Sequence, residues 1–77
     1  MKRYSEAEQL DLKKIGENIR KWRKERGYSQ ESFADAVELH RTYMGGVERG
    51  ERNISVLNLL KIMRKLEVQP DQIFAGC

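Results

Sequence analysis

Apolar residues recur at helical spacing along most of the chain. The first such segment carries one stripe: Leu12, Ile15, Ile19 and Trp22. Ser5, followed three residues later by Glu8, is a capping-box signal at the start of this helix. Gly27 supplies the left-handed residue that ends it. The pattern predicts a long amphipathic first helix.

Two short helical patterns follow, separated by too few residues for an ordinary helical hairpin. Ser29 can cap the second helix. Three apolar residues of this helix are expected to face the core: Phe33, Ala34 and Val37. Leu39 lies in the turn and is expected to fill the core between the two helices. The third helix begins after His40, ends at Gly50 and turns two residues inward: Met44 and Val47. This arrangement over residues 29–50 is typical of a helix-turn-helix.

Two further helices complete the pattern. Ser55 can cap a fourth helix with one apolar face: Val56, Leu59, Leu60, Met63 and Leu66. Pro70 fits the first turn of a short fifth helix, which carries Ile73 and Phe74. The predicted fold class is all-α, with five helices in a single helix-turn-helix domain over residues 1–77.

Composition and length narrow the class of protein. A chain of 77 residues can build one small core that buries roughly 60% of the surface of its unfolded form. A partner subunit would increase the stability of such a small domain. The single cysteine, Cys77, has no partner for an internal disulfide, and no zinc-site spacing is present. No apolar run approaches the ~20 residues of a membrane span, and residues 1–10 lack the apolar core of a signal peptide. We expect a cytoplasmic, nucleoid-associated protein without a cofactor or a membrane partner.

Charge alone does not identify the partner. The net charge is +3, but residues 29–53, which hold the predicted motif, carry three basic and five acidic residues. Residues 1–28 carry nine basic and five acidic residues. A nucleic-acid interface must therefore depend on where individual cations lie relative to helix ends.

The start of the third helix holds the best candidates for reading DNA bases. Arg41 can offer its fork to guanine O6 and N7, and Thr42 can offer a hydroxyl or a methyl group. The alternative is that both are ordinary solvent-facing residues. Tyr43 can contact a thymine methyl or a phosphate, or can serve packing alone. His40 fits a helix cap better than a base reader or a metal ligand.

Helix starts supply candidates for phosphate contact. Gln30 follows Ser29, so a phosphate can accept from orphan amides there and from the Gln30 side chain. Ser55 and Asn58 open the fourth helix and can donate to a second phosphate, although capping also explains Ser55. These contacts would position the protein without reading sequence.

The strings SQESFADAVEL, HRTYMGGVERG and ERNIS resemble the lambda-repressor-like, Cro-type helix-turn-helix family over roughly residues 12–74. HRTY followed by ERGERNIS is especially similar to the small controller proteins of restriction-modification systems. The resemblance implies a five-helix fold, a dimer on a pseudo-palindromic operator and no enzymatic activity. It also implies that Arg52 contacts bases and Asn53 the DNA backbone, the alternative being that both belong to an ordinary hydrophilic turn. It further implies that Arg23 pairs with Glu48 to hold the third helix.

Three residues depart from the family pattern. Glu38 stands where the turn commonly has a glycine in a left-handed conformation. For a residue other than glycine, this conformation costs on the order of 1 kcal/mol, or else the turn must be of a different type. Gly45 and Gly46 lie inside the third helix, and each lowers its stability by about 1 kcal/mol relative to alanine. We expect these missing side chains to let the helix approach the groove closely.

Two protein contacts are expected as well. The second helix has an acidic stripe, which is either a solvated face or, through Glu31 and Asp35, a contact for the sigma subunit of RNA polymerase, as in lambda-repressor-like activators. We also expect a dimer, because one helix in one major groove reads only a few base pairs. A dimer that reads two half-sites about 34 Å apart discriminates much better between DNA sequences. The apolar candidates for the dimer interface are Leu66, Val68, Ile73 and Phe74.

The sequence favours a sequence-specific transcriptional regulator that binds a double-stranded DNA operator. An enzyme is excluded because the single histidine has no evident nucleophile, and neither a phosphate-binding glycine loop nor a carboxylate cluster occurs. The alternative is a protein-interaction module on the same fold, such as an antitoxin or antirepressor. Salt-dependent binding to duplex DNA separates these two readings.

Overall fold

The computed structural model describes residues 4–77, and within that range the chain forms five α-helices and no strand. The helices are α1 (Glu6–Glu25), α2 (Gln30–Ala36), α3 (Arg41–Glu48), α4 (Val56–Leu66) and α5 (Pro70–Ile73). The predicted all-α architecture is confirmed. Residues 1–3 of the predicted domain lie outside the described residues. None of the helices described combines the length and apolar character that a membrane span requires.

The helices begin where the sequence places capping residues. Ser5 and Glu8 form a reciprocal capping box at α1. Ser29 caps α2 together with Ser32, and the Ser55 hydroxyl accepts from the third amide of α4. Each cap satisfies amides that the helix leaves unpaired, so the positions of these helices follow from local sequence.

One apolar core lies between the helices. α1 packs against α3, α4 and α5, while α2 packs against α3. The core residues are Ile19, Phe33, Ala34, Val37, Met44, Val47, Ile62, Met63, Leu66, Val68 and Ile73. Leu39 packs against this core from the turn, as expected. The inner face of α3 is thereby fixed, and the residues exposed on this helix are Arg41 and Thr42 in its first turn.

The turn between α2 and α3 is a Schellman motif. The Leu39 amide donates to the Ala34 carbonyl at 2.9 Å, and the Glu38 amide donates to the Asp35 carbonyl at 3.1 Å. Glu38 adopts a left-handed conformation with φ 59°. The chain therefore keeps the turn geometry that glycine would favour, at a backbone cost of about 1–2 kcal/mol.

The predicted apolar face of α4 was partly wrong. Val56 is 73% exposed, whereas Ile62, which the prediction omitted, is fully buried. The inward stripe follows the spacing i, i+3, i+4 and i+7: Leu59, Ile62, Met63 and Leu66. Val56 lies one turn before this stripe, beyond the last residue that the core covers.

The predicted dimer interface was also largely wrong. Leu66, Val68 and Ile73 are buried inside a single copy of the chain, with exposures of 0%, 6% and 0%. The reason is that the C-terminal segment folds back on α1: Asn18 Nδ2 donates to the carbonyl of Ile73 at 2.7 Å. Of the predicted set, only Phe74 is exposed.

Candidate nucleic-acid interface

His40 caps α3 and leaves the helix start open to solvent. Its Nδ1 accepts from the amide of Thr42 at 3.4 Å, and its carbonyl accepts from the amide of Met44 at 2.9 Å. The backbone of His40 is extended, with φ −67° and ψ 138°, as at other helix caps. His40 therefore has the capping role that its position indicates.

Arg41 and Thr42 are exposed on the first turn of α3. The Arg41 side chain is 63% exposed, and its Nη1 lies 3.6 Å from Glu31 Oε1 on α2. An ion pair this exposed contributes little to stability, so a stronger partner such as a base edge or a phosphate can displace it. Both side chains lie outside the core and at the start of a helix, as contact with base edges in the major groove requires.

Tyr43 is half-buried and packs against the core. Its hydroxyl accepts from Asn58 Nδ2 at 3.3 Å, which joins the first turn of α3 to α4. The guanidinium of Arg52 lies 5.9 Å from the centre of the Tyr43 ring. Packing therefore accounts for the ring, which also forms a platform beneath Arg52.

A buried ion pair fixes α3 against α1. Arg23 Nε donates to Glu48 Oε2 at 2.7 Å, and Arg23 Nη2 donates to Glu48 Oε1 at 3.1 Å. The side chains are only 7% and 3% exposed. Arg23 also donates to the carbonyl of Tyr28, and Gln30 Nε2 donates to Glu48 Oε1 at 3.1 Å. The pair expected from the family resemblance is present, and it keeps the Glu48 carboxylate away from the outer surface.

The other acids near α3 are also paired. Arg49 Nε lies 3.1 Å from Glu51 Oε2. The hydrogen bond from Arg49 lowers the pKa of Glu51, and the same bond raises the pKa of Arg49. Residues 29–53 carry three basic and five acidic residues, a net charge of −2, and the charge of Arg23, which pairs with Glu48 from outside this segment, brings the sum to −1. Glu31 and Glu51 pair with Arg41 and Arg49, which the balance already includes.

Four of the five residues predicted to contact phosphate already have partners within the protein: Ser29, Gln30, Ser55 and Asn58. The Ser29 hydroxyl accepts from the amide of Ser32 and donates to its Oγ, and the Ser55 hydroxyl accepts from the amide of Asn58. One of the two Gln30 amide hydrogens is used by Glu48. Capping thus accounts for the two serines. Asn53 is exposed in the loop after α3, but it lines a cleft with two carboxylates of α1, those of Glu8 and Asp11.

Gly45 and Gly46, which we expect to let α3 approach the groove closely, do not face open solvent. Both are buried, because side chains of this chain cover them. A Cβ on Gly45 would lie 3.1 Å from Arg49 Nη1 and 3.2 Å from Gln30 Oε1. A Cβ on Gly46 would lie 2.8 Å from Arg52 Cγ. Sequence reasoning missed the contact of Gly46 because no spacing rule relates a helix glycine to a side chain in the following loop.

The comparisons with known proteins agree with this geometry. The HTH_3 helix-turn-helix family model matches residues 19–73. Control protein C.MunI from Mycoplasma sp. is 42% identical over 67 residues, covering 84% of this chain and 90% of that protein.

Solved structures of controller proteins are similar as well. The restriction-modification controller protein C.AhdI from Aeromonas hydrophila matches with a TM-score of 0.79 and 45% identity, covering 84% of this chain and 98% of that one. The controller protein C.Esp1396I, solved as a tetramer in complex with its natural 35 base-pair operator, matches with a TM-score of 0.71 and 41% identity over 82% of this chain and 83% of that one. The chain therefore belongs to the HTH_3 helix-turn-helix family, in which it is similar to restriction-modification controller proteins.

Proposed function

We propose that this protein is a transcriptional regulator that binds a pseudo-palindromic DNA operator as a homodimer, with α3 in the major groove, in the manner of a restriction-modification controller. The observation that carries the proposal is the exposed pair Arg41 and Thr42 at the open start of a helix whose inner face is fixed. A rigid helix with its polar end outward is what direct readout of base edges requires.

The buried pair between Arg23 and Glu48 supports this orientation. Because the bidentate geometry fixes both distance and angle, α3 cannot rotate about its axis without breaking two charge-assisted hydrogen bonds. The direction in which Arg41 projects is therefore set from the interior of the domain. We infer that readout depends on Arg41 and Thr42, with Arg52 and Tyr43 at the adjoining edge.

Contacts to the DNA backbone would hold the helix in register. Gln30 retains a second amide hydrogen, and Asn53 is exposed beyond α3. Ser29, Ser55 and Asn58 lie at helix starts, where backbone amides favour an anion. Such contacts carry affinity rather than sequence preference. In this role the protein would act in the cytoplasm, at the nucleoid, and without enzymatic activity.

The proposal is tested by selecting bound sequences from a pool of random duplexes. We expect an enriched site with two related half-sites about one helical turn apart, and an affinity that falls steeply with salt. A protein-interaction module of the antitoxin or antirepressor type would enrich no sequence. Failure to enrich any site would contradict the proposed function.

We infer that α4 supplies the dimer contact. Val56 and Leu57 are 73% and 75% exposed at the start of this helix, and two adjacent apolar side chains there form a surface that a second copy of the chain can cover. Of the residues predicted from the sequence to form the dimer interface, Phe74 is 43% exposed and remains a candidate. The longest dimension of the domain is 32 Å, so two copies side by side can place their α3 helices in half-sites about 34 Å apart.

Leu57→Asp should convert the dimer to a monomer at micromolar concentration, because a carboxylate would have to be buried at the interface without a partner. The measurement is sedimentation equilibrium. Leu10→Asp is the matched control, since Leu10 is 68% exposed but lies on α1, and it should leave the dimer intact. A Leu57→Asp dimer as stable as the wild type would refute the assignment of α4.

We propose further that the acidic face of α2 contacts the sigma subunit of RNA polymerase. Glu31 and Asp35 are both exposed, but Glu31 lies against Arg41, so reversing its charge would disturb DNA binding as well. Asp35 is therefore the cleaner position to test.

Asp35→Lys should reduce transcription from an activated promoter by about 30-fold, since the loss of a favourable charge contact and a new repulsion are each worth roughly 1 kcal/mol, or roughly 2 kcal/mol together. The operator affinity of the variant should be unchanged in the same preparation. Asp71→Lys, the same charge reversal at an exposed position on α5, serves as the control. Undiminished activation by Asp35→Lys would leave this face as a solvated surface only.

A further inference from the structure

The contact between Gly46 and Arg52 joins α3 to the loop that follows it. An ideal Cβ on Gly46 would lie 2.8 Å from Arg52 Cγ and 3.3 Å from Arg52 Nε. A separation of 2.8 Å is closer than two carbon atoms can pack, so the stem of Arg52 occupies the volume that an alanine methyl group would need. Gly46 is buried as a result.

The loop backbone holds Arg52 in place along α3. The amide of Glu51 donates to the carbonyl of Gly46 at 2.8 Å, which turns the chain back over the last turn of the helix. From there the Arg52 guanidinium reaches the face of the Tyr43 ring, at 5.9 Å from its centre. Because Tyr43 precedes Gly46 by nearly one helical turn, the Arg52 side chain runs from the end of α3 toward its start.

We propose that Gly46 is a positioning residue for DNA recognition. Its missing side chain makes room for the Arg52 stem, and this contact directs the Arg52 guanidinium toward the end of α3 that carries Arg41. The proposal rests on the proposed function, because it takes this end of α3 as the surface that meets DNA. It also accounts for a glycine inside a helix. The glycine lowers helix propensity, but it allows the Arg52 guanidinium to be held toward the end of α3 that carries Arg41 and Thr42.

Gly46→Ala tests the contact with the smallest possible change. Alanine favours a helix interior over glycine, so we expect the variant to fold with a thermal midpoint at or above that of the wild type. Gly45→Ala is the matched control on the adjacent residue. There the nearest atoms to the new Cβ are the ends of the Arg49 and Gln30 side chains, at 3.1 and 3.2 Å, which can move by a few tenths of an ångström.

The first readout needs no DNA. In the free protein, the ring current of Tyr43 should shift the side-chain protons of Arg52 upfield in the NMR spectrum, because the guanidinium lies over the ring. Gly46→Ala should remove most of this shift, and Gly45→Ala should preserve it. An unchanged Arg52 shift in Gly46→Ala would overturn the proposal, whatever ligand the protein binds.

The second readout is affinity for the selected duplex. Gly46→Ala and Arg52→Ala should each weaken binding by about tenfold, near the lower end for one base contact, and the double variant should be no weaker than either single variant. Gly45→Ala and Arg52→Ala should instead act independently. Multiplicative losses for Gly46→Ala and Arg52→Ala would overturn the positioning role while leaving the proposed function intact, whereas a wild-type protein without any sequence preference would refute the proposed function itself.

Discussion

Glu48→Ala should lower the free energy of unfolding by about 3–5 kcal/mol, the largest stability effect that we expect from a single substitution outside the apolar core. The guanidinium of Arg23 would stay in an environment where its side chain is 7% exposed, having lost both carboxylate acceptors and keeping only the carbonyl of Tyr28. Gln30 would lose its acceptor too. Urea denaturation measures the change, and the thermal midpoint should fall by about 12 °C or more.

Two controls separate the buried pair from other effects of the substitution. The double variant Arg23→Met with Glu48→Leu should recover most of the loss, because apolar residues of similar volume replace a buried ion pair with little cost. Glu51→Ala removes an acid of the same motif whose side chain is 60% exposed, and it should leave stability unchanged. A Glu48→Ala protein as stable as Glu51→Ala would mean that the pair does not secure α3.

Arg41→Ala should cost roughly 1–3 kcal/mol of binding free energy, about 5- to 150-fold in affinity, and should relax the preference at one base pair in each half-site. Folding stability should not change, because the Arg41 side chain is 63% exposed and its contact with Glu31 is 3.6 Å long. The measurement is fluorescence anisotropy on the selected duplex and on duplexes with single base-pair substitutions.

The matched control for Arg41→Ala is Arg64→Ala, the same change at an exposed position on α4. It should leave the base preference intact. If Arg41→Ala weakened every duplex by the same factor and lowered the salt dependence by one phosphate contact, Arg41 would be a backbone contact and not a base reader.

Local chemistry made the helix starts predictable from the sequence. Ser5, Ser29 and Ser55 each cap the helix that their position indicates, since a cap needs only its own side chain and the next three amides. The exposure of Arg41 and Thr42 follows from the same local rule, because both lie in the first turn after a cap, ahead of the buried residues Met44–Glu48.

Contacts between distant segments could not be predicted in this way. Ile73 has an apolar pattern equally suited to a dimer surface, and only the fold of the C-terminal segment onto Asn18 of α1 makes it a core residue. Spacing on α4 likewise did not separate Ile62, which is buried, from Val56, which lies beyond the core. The partner of a helix face is a property of the tertiary structure.

The same limit applies to the candidate site. The ion pair between Arg23 and Glu48 joins residues 25 positions apart, and nothing in the spacing itself indicates it; the family resemblance did. The contact of Gly46 with Arg52 has no counterpart in any sequence pattern, because it depends on how the loop turns back over α3.

The central claim, that the start of α3 reads base edges in the major groove, is tested most directly by a double-mutant cycle between Arg41 and a guanine of the selected half-site. Replacing that guanine by 7-deazaguanine removes the N7 acceptor that an arginine fork requires and leaves base pairing intact. We expect this replacement to weaken binding of the wild-type protein by about tenfold and to have no effect on Arg41→Ala. Equal weakening of the two proteins at every guanine of the site would contradict the claim.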